Sequence, residues 1–221
     1  MDTGLNEVRG RIAAAAARVG RDPAGVLLVA VCKGVPDAAV RAVYDAGIRD
    51  FGENRADALT GRAPGLPGDI RWHFIGRLQG NKVRRVRRLV HLLHSLDRVD
   101  LARYWAGEAA PPPVLVEVNV AGEVAKAGAA LDEAEVLVAA ATDLGLEVRG
   151  LMTMAPLVTD PEAAQPYFAA LRQLRDRIVL RYPTVTELSM GMTDDFEVAV
   201  QEGATILRVG RAIFRSSPKE G

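Results

Sequence analysis

Val26-Leu27-Leu28-Val29-Ala30-Val31-Cys32-Lys33 is apolar over seven consecutive residues and then stops at an amine. A strand with one wet face alternates apolar and polar side chains, whereas one covered on both faces is apolar throughout, as in a parallel sheet clothed by helices. Further short apolar runs follow at Ile48–Phe51, Ile70–Ile75, His91–Leu96, Val114–Val120, Val148–Met154, Glu187–Met190 and Thr205–Val209. Helical stretches separate them: Pro36–Ala46, Asn54–Leu59, Asn81–Val90, Arg98–Gly107, Leu131–Leu144, Pro161–Arg181 and Asp194–Glu202. An additional helix, Leu5–Val19, precedes the first strand. Eight strands alternating with helices predict an α/β protein, a (β/α)₈ TIM barrel with an extra N-terminal helix. An open doubly wound sheet is the competitor, and it lacks support because no Gly-x-Gly-x-x-Gly follows the first strand. The 221 residues fit one domain spanning 1–221, with a core from about 5 to 214 and a short tail at Ser216–Gly221.

Lys+Arg and Asp+Glu balance at 28 each, so the chain has no global field to draw it to nucleic acid or an acidic membrane. Cys32 is the single cysteine, which excludes an internal disulfide and a cysteine-rich zinc site and points to a reducing, cytoplasmic setting. The start of the chain, with Asp2 and Glu7 and an alanine run flanked by Arg11 and Arg18, fits a helix better than a signal peptide. No apolar stretch approaches the ~18–20 residues needed to cross a bilayer.

Chemistry in such a barrel sits where the strands end. Lys33 closes the first strand; desolvation there would free its amine to attack a carbonyl, while the competing reading is a lysine that snorkels into solvent. Cys32, on the opposite face, reads as a small core residue. After the second strand, Phe51-Gly52-Glu53-Asn54 offers a glycine for a tight turn, and Asn54 reads either as a helix N-cap or as a ligand-facing amide. The loops after strands seven and eight commonly form a phosphate site, and here Ser189 offers a hydroxyl and Gly210 close backbone approach before a helix start. Arg208 lies inside an apolar strand, so a structural ion pair or a bound ligand must compensate its desolvation.

Other constellations carry less. In Lys82–Arg88, Val83 and Val86 fall at helical spacing, making the basic run a solvated helix face, with RNA association as the alternative. His73, His91 and His94 share no metal-binding spacing, and His91 and His94 are expected on opposite strand faces, so no metal site is expected. No Gly-x-Ser-x-Gly elbow or Walker loop is present.

The segments Val29-Ala30-Val31-Cys32-Lys33, Phe51-Gly52-Glu53-Asn54, Trp72-His73-Phe74-Ile75-Gly76-Arg77-Leu78-Gln79-Gly80-Asn81-Lys82, His94-Ser95-Leu96-Asp97-Arg98, Gly150-Leu151-Met152 and Leu188-Ser189-Met190-Gly191-Met192 resemble, in order and spacing, the YggS family of pyridoxal phosphate homeostasis proteins. The resemblance runs from about Leu5 to Phe214. It implies a barrel similar to the N-terminal domain of alanine racemase, holding pyridoxal 5′-phosphate as a Schiff base on Lys33. By the same carry-over Asn54 lies beside the ring, Arg208 faces the pyridine nitrogen, and Ser189 with the backbone at Gly210 and Arg211 holds the phosphate. An arginine at that nitrogen keeps it unprotonated and weakens the ring as an electron sink. Alanine-racemase-like enzymes add a β domain that supplies a catalytic tyrosine, and none is expected after Gly221. The implied role is therefore a monomeric carrier in vitamin B6 and amino-acid homeostasis without catalytic residues, with PLP-dependent apo-enzymes as candidate partners. A weak amino-acid racemase is the alternative. Four positions depart from the family pattern: Cys32 stands where serine is usual, Gly34-Val35 replaces a threonine and a longer residue, and Arg211 replaces a threonine. A more mobile loop after Lys33 is the expected consequence, and at Arg211 the lost threonine hydroxyl is expected to be replaced by a charge-assisted contact from the guanidinium to phosphate, with a side chain that points to solvent as the alternative.

Overall fold

The computed structural model describes residues 4–107, 110–123 and 126–214, so the expected tail at Ser216–Gly221 lies outside the described residues. Eight parallel strands close into a barrel in sequence order: β1 (Leu27–Val31), β2 (Asp50–Glu53), β3 (Arg71–Phe74), β4 (Val90–Leu96), β5 (Val114–Glu117), β6 (Val148–Met152), β7 (Glu187–Ser189) and β8 (Ile206–Val209). β8 returns to β1 with Leu27 opposite Ile206 and Ala30 opposite Val209, which leaves no free sheet edge. Helices α1 (Leu5–Arg18), α2 (Asp37–Asp45), α3 (Ala56–Arg62), α4 (Val83–Arg87), α5 (Val99–Ala106), α6 (Ala134–Asp143), α7 (Gln165–Ile178) and α8 (Phe196–Gln201) form the outer layer. The eight-strand barrel and the extra first helix are those read from the sequence.

Alternation on the strands divides the core. Outward residues such as Ala30, Cys32, Phe51, Trp72, Phe74 and Leu207 pack against the helices, while Val29, Leu92, Leu115, Met152 and Ile206 form a separate apolar layer inside the barrel. α1 buries Leu5, Val8, Ile12, Ala15 and Ala16 at helical spacing. It packs on α8, where Arg11 pairs with Glu197 at 2.9 Å and lies over the Phe196 ring.

Several expected elements are trimmed or split. Pro166 lacks an N–H and is confined to a first turn, so the expected Pro161–Arg181 helix becomes a 3₁₀ turn at Pro161–Ala164 followed by α7. The expected Asn81–Val90 helix shrinks to α4, because Val90 already pairs with Trp72 and opens β4. Gly52 makes no turn: it lies within β2 and keeps the interior clear, since a Cβ there would meet Val29 at 3.1 Å.

Gly150, on β6 opposite Glu187, has the tightest requirement in the sheet, for a Cβ would lie 2.0 Å from the Glu187 carbonyl oxygen. Gly150→Ala is expected to force β6 and β7 apart and to cost about 1–3 kcal/mol, the range for overpacking a fixed core. The check is a lower denaturant midpoint at unchanged slope.

Candidate functional site

Lys33, Asn54, Ser189, Arg208, Gly210 and Arg211 all lie at or just below the C-terminal ends of β1, β2, β7 and β8, the upper mouth of the barrel. Lys33 stands exposed there rather than sheltered as its position after an apolar run suggests, and among the described residues no carboxylate pairs with it. The loop that carries it is fixed: Gly34 turns with φ +70°, and Arg62 donates from α3 to the carbonyls of Cys32 (2.8 Å) and Val35 (2.6 Å). Arg62 also pairs with buried Glu53 at 3.2 Å, so the expected mobility of the Gly34-Val35 segment meets an anchor at each end. Cys32 is buried among apolar neighbours, and that burial pushes its thiol up to about 12, the state of a core residue.

Asn54 is not the helix cap. α3 starts at Ala56 behind Arg55, and the side-chain Oδ1 of Asn54 is buried with no hydrogen-bond partner among the described residues. A buried acceptor left alone costs about 1–3 kcal/mol, so such an atom marks a place where a partner belongs.

Arg208 is fully buried on β8. It donates from one terminal nitrogen to Ser189 Oγ (2.6 Å) and from the other to the Thr153 carbonyl (2.8 Å). Burial lowers its pKa to about 10 against the opposing pull of Asp195 and Glu117, so it stays a cation at neutral pH. Among the described residues no carboxylate forms a direct ion pair with it, and the structural ion pair considered from the sequence is absent from this set. Ser189 is buried too, with its oxygen between Arg208 and His94 Nδ1 (2.8 Å).

After β8, Ile213 N and Phe214 N donate to Gly210 O in a single turn, where the sequence suggested a helix; the amides of Arg211 and Ala212 precede those bonds. The Arg211 guanidinium is exposed and pairs with Asp194, in the loop between β7 and α8. The basic Lys82–Arg88 run behaves as a solvated face: Val83 and Val86 are buried, and Lys82 and Arg85 both pair with Asp57.

Four inward polar residues carry no role in the sequence reading. Asp50, His73, His94 and Glu117 are buried inside the barrel. Their signal was available, since each is a polar residue in an apolar strand. His91 and His94 do not lie on opposite faces in effect, because both rings meet His73 edge-on, at 6.0 and 5.1 Å between centroids. The cause is an irregularity in β4, where Val90 to Leu92 spans one step of β3, Trp72 to His73, leaving His91 as the extra residue.

A closed parallel barrel whose upper mouth holds an exposed amine, an unpartnered amide oxygen and a buried guanidinium defines a protein built to hold a small polar ligand at its strand ends. No protein-family model matches the chain. A pyridoxal phosphate homeostasis protein of Aquifex aeolicus is 41% identical over 217 residues, 95% of each chain. The structure of PipY from Synechococcus elongatus PCC7942 with PLP bound matches with a TM-score of 0.78 and 34% identity, over 92% of this chain and 100% of that one. Alanine racemase of Corynebacterium glutamicum, at 14% identity, shares the fold with a TM-score of 0.68 over 98% of this chain and 63% of its own. The chain belongs to the pyridoxal phosphate homeostasis protein family.

Proposed function

We propose that this chain binds pyridoxal 5′-phosphate at the upper mouth and serves intracellular vitamin B6 and amino-acid homeostasis as a carrier. Residues 1–221 would act as one cofactor-holding domain, cytoplasmic and monomeric, with PLP-dependent apo-enzymes as partners that receive the cofactor. The observation that carries this reading is Arg208: a buried cation with two neutral acceptors and, among the described residues, no directly paired carboxylate. Pyridoxal phosphate supplies an aldehyde that a primary amine binds reversibly, a ring nitrogen that accepts a hydrogen bond, and a phosphate. Lys33 supplies the amine, and its exposure leaves it open to a ligand arriving from solvent. Asn54 offers its orphaned oxygen beside the ring. Arg208, which can only donate, faces the ring nitrogen and leaves it unprotonated, which weakens carbanion chemistry. Ser189 and the backbone at Gly210, Arg211 and Ala212 hold the phosphate, with Ser189 Oγ also accepting from Arg208. Among the described residues no helix is long and apolar enough to cross a membrane.

The test is visible absorbance on titration with pyridoxal phosphate, followed by transfer to an apo-enzyme while free cofactor is trapped. Restored apo-enzyme activity under trapping supports the carrier; activity only without the trap removes it. A weak amino-acid racemase is the second reading, favoured by Glu117. Burial, with Asp97 adding to it, raises that carboxyl to about 7, the range of a general acid or base. Chiral chromatography of alanine, serine and glutamate after long incubation decides, and turnover of around 1–1000 per second would replace the carrier reading.

Because the Arg211 side chain is committed to Asp194 in solvent, only its amide serves the phosphate. Arg211→Thr is therefore expected to change affinity for pyridoxal phosphate by less than about 1 kcal/mol, the scale of an exposed ion pair. Equilibrium titration of both proteins checks it.

A further inference from the structure

Arg208 can only donate hydrogen bonds, and an ionised Asp50 can only accept them. Between these two residues three bonds run in line through the barrel: Ser189 Oγ to His94 Nδ1 (2.8 Å), His94 Nε2 to His73 Nδ1 (2.9 Å), and His73 Nε2 to Asp50 Oδ1 (3.0 Å). Asp50 is held at about 2: burial acts to raise it, and hydrogen bonds from His73 and Arg71 outweigh that effect. Burial drives His94 well below the ordinary histidine range, so its ring is neutral and carries one N–H. The bond to Asp50 places a proton on His73 Nε2. With His73 neutral, its Nδ1 accepts, His94 donates from Nε2, and His94 Nδ1 accepts from the Ser189 hydroxyl. This arrangement satisfies every bond, and all of them point from the upper mouth toward Asp50.

The lower end of the chain opens on a cavity of about 700 Å³ at the N-terminal ends of the strands, lined by Asp50, Arg71, His73, His91, Arg149 and Glu187. The charged and titratable neighbours of His73 are thus Asp50 on β2, Arg71 on its own strand and His91 and His94 on β4. Apolar side chains fill the barrel beside them at Val29, Leu92 and Leu115, so a polar thread through that interior is not a packing requirement.

We propose that His73 and His94 are positioning residues for the site above and form a proton relay between Ser189 and Asp50. The proposal rests on the reading that the upper mouth holds a phosphate ester, whose monoanion is the proton donor. Ser189 Oγ would take a proton from the bound ester and pass its own hydroxyl proton to His94 Nδ1. His94 then gives its Nε2 proton to His73 Nδ1. Three bonds to hydrogen break and three form, the phosphate ester becomes a dianion, and the gained charge rests on His73 as an imidazolium against the Asp50 carboxylate. The charge thereby ends next to an anion rather than next to Arg208. With the chain reversed, Ser189 Oγ accepts from both Arg208 and His94, and its hydroxyl hydrogen is free to point up to the phosphate.

Long-range nitrogen–proton NMR of the ligand-free protein at about pH 8 should find both rings protonated at Nε2 and bare at Nδ1. A proton on Nδ1 of His94 in that state overturns the relay. In the protein loaded with pyridoxal phosphate, lowering the pH should move the His94 proton from Nε2 to Nδ1 as His73 gains its second proton. A His94 signal that never changes also overturns it. Asp50→Asn keeps an acceptor and removes the charge, so the midpoint of that change should fall. An unmoved midpoint overturns the assignment of Asp50. If Asp50→Asn fails to fold, Ser189→Ala removes the upper entry of the relay; protons still reach His73 from the lower cavity, so the exchange between the two His94 forms should slow, and an unchanged exchange rate overturns the route. Failure of absorbance to report any bound cofactor would sink the functional reading and the relay with it, whereas bound cofactor with unchanging His94 signals would sink the relay alone.

Discussion

Replacing Lys33 with alanine should leave the barrel folded and abolish covalent capture of pyridoxal phosphate. Lys33 is exposed and makes no ion pair among the described residues, so truncation removes little packing and should shift stability by no more than about 0.5 kcal/mol, as for other surface changes. The neighbouring anchors, Arg62 on the carbonyls of Cys32 and Val35, do not involve the Lys33 side chain and stay in place. Two other lysines are poorer competitors because they are engaged, Lys82 with Asp57 at 2.8 Å and Lys126 with Glu123 at 2.8 Å. Borohydride reduction followed by peptide mapping should find the adduct on Lys33 in the wild type and none in Lys33→Ala. An adduct that persists in the variant on Lys82 or Lys126 would move the site away from the upper mouth.

The barrel was legible because its strands are covered on both faces and are mostly apolar; Val26–Cys32 is unbroken over seven residues and indicates a parallel sheet, and eight strands alternating with helices fit a closed barrel. What period-two reasoning could not give is the break in the period itself. The extra residue at His91 exists only in the pairing of β4 with β3, a nonlocal fact, and it turns two histidines expected apart onto one partner. Strand ends were overrun for a related reason. Val118 is apolar and buried like the strand before it, yet β5 ends at Glu117: Val118 still donates to Met152 O at 2.8 Å but bridges Ala129 in the following loop.

The site was legible where a residue broke the pattern of its own strand. Arg208 stands out in Ile206-Leu207-Arg208-Val209, and the structure confirms its burial while replacing the considered ion pair with a hydroxyl and a carbonyl. Asp50, His73 and Glu117 break their strands in the same way and were passed over because each has a bland surface reading when taken alone. Their common direction appears only after closure of the sheet, which brings β2, β3, β4 and β7 around one interior.

Glu117→Gln should make the ligand-free protein more stable above neutral pH and leave it little changed in mild acid. Glu117 lies on β5, 4% exposed, where burial and the nearby Asp97 raise its carboxyl from 4.5 to about 7 against the weaker pull of Arg208 and Arg77. A carboxyl whose pKa is higher in the folded state holds its proton more firmly when folded. Its contribution is therefore most favourable below the unfolded value, declines as pH rises from about 4.5 to about 7, and is unfavourable by a constant amount above that. At 1.36 kcal/mol per unit, the full penalty is about 3 kcal/mol. Glutamine keeps the volume and a hydrogen-bonding end group and cannot ionise, so it escapes the penalty. Denaturant melts of the two proteins across pH should coincide near pH 5 and separate toward pH 8, with the glutamine variant the more stable by about 3 kcal/mol. Curves that stay parallel across that range would mean that Glu117 ionises in the folded barrel as easily as it does in water, with Arg208 close enough to compensate its burial in full.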